Sequence, residues 1–333
     1  MMRARTITIS LATLLSIASP ALGQISSNAG TSGFQFLKIG VGAHETALAG
    51  AGTATVSGPE AVFWNVAGIT KDEQRSALFF YNSWFASIKQ DFLAVSLPLG
   101  DNNFAGFSAN IVALGQMDET TVDQPQGTGR SFTAGDLALS ASYARRITDW
   151  VSAGITAKYV NEQIWDLVSD GWAFDLGLAY DNDRLHLGMV IKDFGANKQI
   201  SGAQLQSLQQ LYPDWQTSTV QVGLVPRPVS LPTSFSAGAG YDFLKNEFHR
   251  ATVLGNLEYF NDNGETYNLA GEYTYLNLYS AMMGYRFHTD IYGLTVGASV
   301  HASVGGSVVG FSFAAVQMKD FGYREQFQIT LSL

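Results

Sequence analysis

Cysteine is absent from the chain. That excludes disulfide scaffolds, thiolate metal sites and a lipid-anchored N-terminus, which needs a cysteine at its cleavage point. Charge is sparse: 14% of the 333 residues are Asp, Glu, Lys or Arg, and an excess of acids sets the formal charge at −9. No basic patch stands out, so nucleic acid is not an expected partner. Beyond the first two dozen residues no stretch reaches the roughly 18 apolar residues that cross a bilayer as a helix. Yet 46% of the chain is hydrophobic and 12% aromatic. The mean hydropathy is +0.06. A helical membrane protein would be strongly positive. A β-barrel averages out, because polar and apolar residues alternate along each strand.

Residues 1–23 have a basic start (Arg3, Arg5), an apolar stretch around residues 7–18, and the small tripeptide Ala21, Leu22, Gly23. This is the layout of a cleaved secretory signal peptide. Thr8, Ser10, Thr13 and Ser16 break the apolar run, which argues against a permanent anchor.

From Ala77 onward the period is two. Phe327, Ile329, Leu331 and Leu333 alternate with Gln326, Gln328, Thr330 and Ser332. Trp172, Phe174, Leu176, Leu178 and Tyr180 alternate with Ala173, Asp175, Gly177 and Ala179. Aromatics close many stripes, as rings do at membrane–water interfaces. The opposite stripe is made of Gly, Ser, Thr, Ala and a few charges, which suits a crowded lumen better than bulk water. The pattern predicts an all-β, transmembrane antiparallel barrel over 77–333, with about 14 strands of the length a tilted membrane strand needs. They fall near 77–85, 88–98, 104–113, 135–146, 150–162, 171–180, 184–194, 233–243, 249–260, 266–275, 278–287, 292–300, 307–316 and 323–333. The longest connections, 114–134 and 195–232, follow odd-numbered strands and belong outside the cell; the short ones face the periplasm. Within 195–232, Leu205, Leu208, Leu211 and Tyr212 predict a short helix stopped by Pro213, and Val220, Val222 and Leu224 a further strand.

Residues 24–76 differ. They are crowded with glycine (Gly30, Gly33, Gly40, Gly42, Gly50, Gly52, Gly58, Gly68) and lack sustained alternation; His44–Ala51 predicts one short helix. Such a segment is too small to form its own core. It is expected to fold inside the barrel as a plug, or hatch, since a lumen of that width would otherwise leak.

Three stretches carry a resemblance: residues 28–43 (NAGTSGFQFLKIGVGA), 47–51 (ALAGA) and 63–69 (FWNVAGI). They resemble the PorV/PorQ family, within the broader group of barrels similar to the fatty-acid channel FadL. The resemblance is specific over 28–70 and diffuse beyond. It implies an outer-membrane barrel of 14 strands with an N-terminal hatch built on Gly40, Gly42, Ala43, Gly50, Trp64, Asn65, Ala67 and Gly68. The family usually has proline where Val66 stands, which leaves that turn less rigid. The resemblance implies a channel that binds or passes a hydrophobic small molecule under hatch control. The alternative within the family is a type IX secretion component whose outer loops hold a secreted cargo or partner protein.

Chemistry is thinly represented. His301 and Ser303 share one face of a strand end, an arrangement compatible with a base and a nucleophile. No orienting acid is evident, and Ser303, Gly305, Gly306 and Ser307 read as a loop. Residues 261–265 (NDNGE) are acidic but too short for a calcium loop, and Asn-Gly between strands signals a hairpin turn. The histidines (His44, His186, His249, His288, His301) lack metal-ligand spacing. Gly50-Ala-Gly52 is not a phosphate loop, since no Lys-Ser/Thr follows. Neither a cofactor, a metal nor an enzymatic activity is expected. Lys158, Asp175, Lys192, Glu258 and Glu272 fall on the small-polar stripes and so point inward; on the lipid side each Lys would cost roughly 2–4 kcal/mol at mid-depth. They either pair with one another and with the hatch, or form a ligand or gating site. A soluble β-propeller would show a repeat of about 40–50 residues, and none is present.

Overall fold

The computed structural model describes residues 30–210 and 219–333. The expected signal segment and residues 24–29 lie outside them. Fourteen antiparallel strands close on themselves. In chain order they are β1 (Ser76–Ser83), β2 (Lys89–Pro98), β3 (Asn103–Ala113), β4 (Ala134–Arg146), β5 (Val151–Ile164), β6 (Leu167–Asp181) and β7 (Leu185–Phe194). The second half has β8 (Ser234–Lys245), β9 (His249–Phe260), β10 (Gly264–Tyr275), β11 (Tyr279–Phe287), β12 (Tyr292–Val304), β13 (Ser307–Met318) and β14 (Gly322–Ser332). Each strand pairs with its sequence neighbours, and β1 pairs with β14, Ser76 opposite Ser332, so no edge is left open.

Side-chain direction follows the period of two. On β6 Trp172, Phe174, Leu176 and Leu178 are exposed on the outside, while Ala173, Asp175 and Ala179 are buried inside. Leu93, Phe107, Ile155, Leu269, Met283 and Ile329 expose their side chains around the rest of the wall. Tyrosine and tryptophan gather toward both rims: Trp150, Tyr241, Tyr273 and Tyr279 at one end, Trp172, Tyr259, Tyr285 and Tyr323 at the other. Closed barrels with a continuous apolar band flanked by aromatic rings belong to outer membranes.

Two connections depart from the sequence expectations. The apolar spacing at 205–212 predicts a helix, but only Ala203–Leu205 turns, as a 3-10 helix. Gln206–Gln210 is extended and pairs with Thr219–Gly223 as a separate two-stranded hairpin outside the barrel. A partner strand there satisfies the backbone, whereas the segment carries no helix cap and follows Gly202 (φ 155). Leu211, Tyr212 and Pro213 lie outside the described residues. The expected loop around Ser303 is also shorter: β12 runs to Val304, and only Gly305 and Gly306 turn.

Residues 30–72 run through the lumen. A 3-10 turn (Gln35–Lys38) packs in the outer half with Val112, Val160 and Leu231. Helix α1 (Ala43–Ala47) lies against β12 and β13, and helix α2 (Ala61–Trp64) precedes a 3-10 stretch (Val66–Lys71) along β4–β6. His44–Ala51 is thus helical only to Ala47, and the chain turns at Ala49 and Gly50, both with positive φ. Small wall residues make room: a Cβ at Gly284 would meet the backbone of Leu48 and Ala49.

Candidate functional site

The centre of the lumen is built around Trp64. Its indole donates to the Val41 carbonyl at 2.8 Å, and Gly40 and Gly50 lie against its ring, where a Cβ would crowd it. Phe63 meets Trp64 edge-on at 5.2 Å. The Lys192 ammonium sits 4.7 Å from the Phe63 ring centre and 5.3 Å from that of Trp64, a cation–π contact made by a buried lysine. Asn65 caps the following 3-10 stretch: its Oδ1 accepts from the Ala67 amide at 3.2 Å. Its Nδ2 donates to the carbonyls of Thr53 and, across to the wall, Leu178. Gly68 is pressed against the Val56 carbonyl and Ala61, which leaves no space for a side chain. Gly42, at φ 84, has space for no Cβ because the Glu60 carboxylate occupies it. Ala43 is fully buried, and its amide donates to Gln328 Oε1 on β14 at 2.7 Å.

The five in-strand charges expected to point inward, Lys158, Asp175, Lys192, Glu258 and Glu272, all sit in the lumen, in two groups. In the first, Lys158 bridges Asp175 and Asp193, 2.7 Å to each, and the Asp193 amide donates to Asp175 Oδ1 at 2.8 Å. Lys192 and Glu258 lie beside it, 4.0 Å apart. Glu272 stands away from these and holds His44 of α1, Oε1 to Nε2 at 3.0 Å. Asp193 is the partner that period-two reading misses. Lys192 points inward, so strict alternation sends Asp193 into lipid. A β-bulge on β7, with Asp193 at φ 57, turns both inward. The signal was available: an acid at a lipid-facing position, whose cost a bulge removes.

Around α1 three further carboxylates and histidines meet. Glu60 accepts from the Glu45 amide at 3.1 Å and from Gln328 Nε2 at 3.4 Å. Burial, with the neighbouring Glu45 charge adding, pushes its carboxyl up to about 7. Burial disfavours a charged His44, but the Glu272 carboxylate outweighs it and holds the imidazole well above its ordinary value. His301 lines the same cavity, while Ser303 is exposed at the strand end. The acidic segment at 261–263 is a turn, and Asp262 is buried in it as an anchor, receiving Lys38 at 2.6 Å and Gln35 at 2.8 Å.

Cavities lie on both sides of this core. Toward the periplasmic rim one of about 580 Å3 is lined by Lys71, Arg146, Asp181 and His186. Another of about 230 Å3 reaches His44 and Glu60. Toward the outer rim a narrow one of about 30 Å3 lies between Trp64, Ile39 and Ala49 on the lumenal segment and Trp84, Arg286, Tyr292, Met318 and Arg324 on the wall side. A cavity that takes benzene measures about 150 Å3. The outer cavity therefore admits water but no hydrocarbon while Trp64 stays in place. Arg286, Arg324 and Trp84 did not stand out in the sequence, although both arginines lie on polar stripes, Arg286 between Tyr285 and Phe287 and Arg324 two residues before Gln326.

No family model matches the chain, and no curated protein does. Solved structures do. The CymD monoaromatic hydrocarbon channel is 14% identical and aligns with a TM-score of 0.55 over 88% of this chain and 97% of its own. The Ralstonia pickettii toluene transporter TbuX is 14% identical, with a TM-score of 0.53 and the same coverage. The P. putida toluene transporter TodX is 11% identical, with a TM-score of 0.54 and again 88% and 97% covered. At these identities the likeness is one of fold: a closed outer-membrane barrel of 14 strands.

Proposed function

We propose that this protein is an outer-membrane channel that binds and passes a hydrophobic small molecule, with residues 24–76 acting as its hatch. The observation that carries the reading is the filling of the lumen by the chain's own N-terminal segment. Wall glycines are shaped to that segment, and it leaves only about 30 Å3 on the outer side of Trp64. A lumen of this width is too wide for wall side chains alone to fill, so the segment decides what passes. It is tied to the wall at both ends and along its middle, as by Ala43 to Gln328 and Arg286 to the Ala49 carbonyl, and these are the contacts a ligand has to loosen. The hydrocarbon channels of like fold support a hydrophobic ligand. The sequence at 28–43 and 63–69 supports the PorV/PorQ branch, and with it a second reading, in which outer loops hold a secreted or partner protein. Exposed Leu224 and Val225 beside an outer groove of about 450 Å3 favour that reading.

One uptake assay separates the two. Cells with a lipopolysaccharide outer leaflet that produce the chain should take up labelled toluene faster than the same cells without it. Trp64→Ala should raise uptake several-fold, and a chain trimmed of residues 199–226 should keep it. Absence of extra uptake from both the mature chain and Trp64→Ala would end the channel reading. Loss of partner capture from secreting cells on the same trimming would favour the second.

A further inference from the structure

The outer cavity carries two guanidinium groups and no carboxylate. Among the described residues neither Arg286 nor Arg324 forms an ion pair, whereas the lumenal lysines Lys158 and Lys192 both do. Arg286 lies over the Tyr292 ring at 4.9 Å and donates to the Ala49 carbonyl at 3.0 Å. Arg324 reaches only its neighbour's carbonyl, Tyr323 O, at 3.4 Å. Its Nε is buried and has no hydrogen-bond partner in the described structure. A guanidinium at the surface is hydrated at no cost. One whose nitrogen is shut away from water loses that hydration and needs an acceptor. The two cations share this cavity with the apolar and aromatic Trp64, Trp84, Tyr292 and Met318 and with the neutral amides Asn82 and Gln326, none of which carries a compensating negative charge. Charge of one sign, an unsatisfied buried donor and aromatic walls in one cavity describe half of a binding site, and the missing half is an anion with a flat apolar body.

We infer that the outer cavity recognises an aromatic carboxylate, its oxygens taken by Arg324 and Arg286 and its ring placed against Trp84 and Tyr292, in the space that Trp64 now fills. The inference rests on the channel reading and narrows it, because the solved structures of like fold are named for neutral hydrocarbons. It also joins binding to opening. The carboxylate competes with the Ala49 carbonyl for Arg286, which is one of the ties between wall and hatch. The ring needs the volume that Trp64 fills, so occupancy and displacement of the hatch go together.

The test is binding to the purified mature chain in a neutral maltoside detergent, followed by tryptophan fluorescence and calorimetry. The probes are 4-ethylbenzoate, its neutral isostere 4-ethylbenzamide, and octanoate. The acid should bind at least about tenfold more tightly than the amide, as charge-assisted hydrogen bonds require. Arg324→Gln, whose one described hydrogen bond is to its neighbour's carbonyl and not to the hatch, should lower acid affinity about tenfold and leave the amide within twofold. Arg286→Gln should do the same to the acid; circular dichroism and heat-shifted gel mobility confirm that both variants fold. Equal binding of acid and amide by the unaltered chain, or an unchanged preference in Arg324→Gln, overturns the site. Octanoate binding as tightly as 4-ethylbenzoate overturns its aromatic class. Toluene uptake without acid preference sinks this inference and leaves the channel; acid preference without any uptake does the reverse.

Discussion

Glu60 and His44 make the seating of the lumenal segment dependent on pH. Glu60 is buried beside Glu45 and carries its proton up to about 7, where a free glutamate loses it at 4.5. That difference corresponds to about 3 kcal/mol. An acid raised in this way favours the seated state most at low pH, and the preference falls as pH climbs from 4.5 through 7. His44, raised by Glu272, gives stabilisation that is complete below 6.5 and fades as pH passes its higher seated value. Both groups therefore loosen the segment toward alkaline pH. The groups facing them, Glu45 and Asp72 on the segment and Glu272 and His301 on the wall, border the same interior. The hydrogen-exchange protection factor over residues 43–60, taken relative to the intrinsic base-catalysed rate at each pH, should fall between pH 6 and pH 9, and Glu60→Gln should flatten the part below about 7. Unchanged protection across that range, or the opposite slope, would contradict the assignment. At this scale the sequence was half legible. Lys158 and Asp175 could be placed inside because charge on the lipid stripe is costly. Asp193, Glu45 and Glu60 could not, since a bulge and an irregular segment follow no period.

Strands were the most readable elements, because one repeating choice decides each of them: apolar side chains outward, small polar ones inward. All fourteen lie near their expected ranges, with β6 beginning earlier, at Leu167, and β12 ending later, at Val304. The outer connection was misread for a physical reason. Leucine spacing predicts a helix only where an apolar face has something to pack on, and at 206–210 a neighbouring strand supplied hydrogen bonds instead. The lumenal segment has no period at all; its course is dictated by the wall it meets. Gly284 on β11 illustrates this, since a Cβ there would fall 2.6 Å from the Leu48 carbonyl carbon and 2.8 Å from the Ala49 nitrogen. Gly284→Val should thus leave the barrel closed and displace the segment. Heat-shifted gel mobility should stay unchanged while trypsin gains access at Lys38 and Lys71. Protection of both sites equal to that of the unaltered chain would show that the segment tolerates the added side chain and is not shaped to this wall.

For the whole molecule, the path by which the segment moves follows from how it is tied. At the periplasmic end it continues covalently into β1, and Lys71–Asp181 (2.9 Å) and Thr70–Ser152 (2.8 Å) add to that join. At the outer end its ties are all non-covalent: Ser32 to Ser230 (3.0 Å), the Phe34 amide to Glu162 (3.0 Å), and Lys38 to Asp262 (2.6 Å). A displacement that swings the outer half of the segment aside breaks these outer ties, and with them the middle tie from Arg286 to the Ala49 carbonyl, and pivots on the periplasmic ones. The absence of cysteine makes this testable without background. A disulfide between Ser32→Cys and Ser230→Cys joins positions whose hydroxyl oxygens already stand 3.0 Å apart. Oxidised, this pair should abolish the extra toluene uptake of cells that produce the chain, and dithiothreitol should restore it. A pair at Thr70→Cys and Ser152→Cys, equally close at 2.8 Å, reinforces a join that need not open and should leave uptake intact in both redox states. If the outer pair transports equally well oxidised and reduced, the ligand passes without moving the outer half of the segment. The pivot would then be wrong, and the route would lie between the segment and the wall.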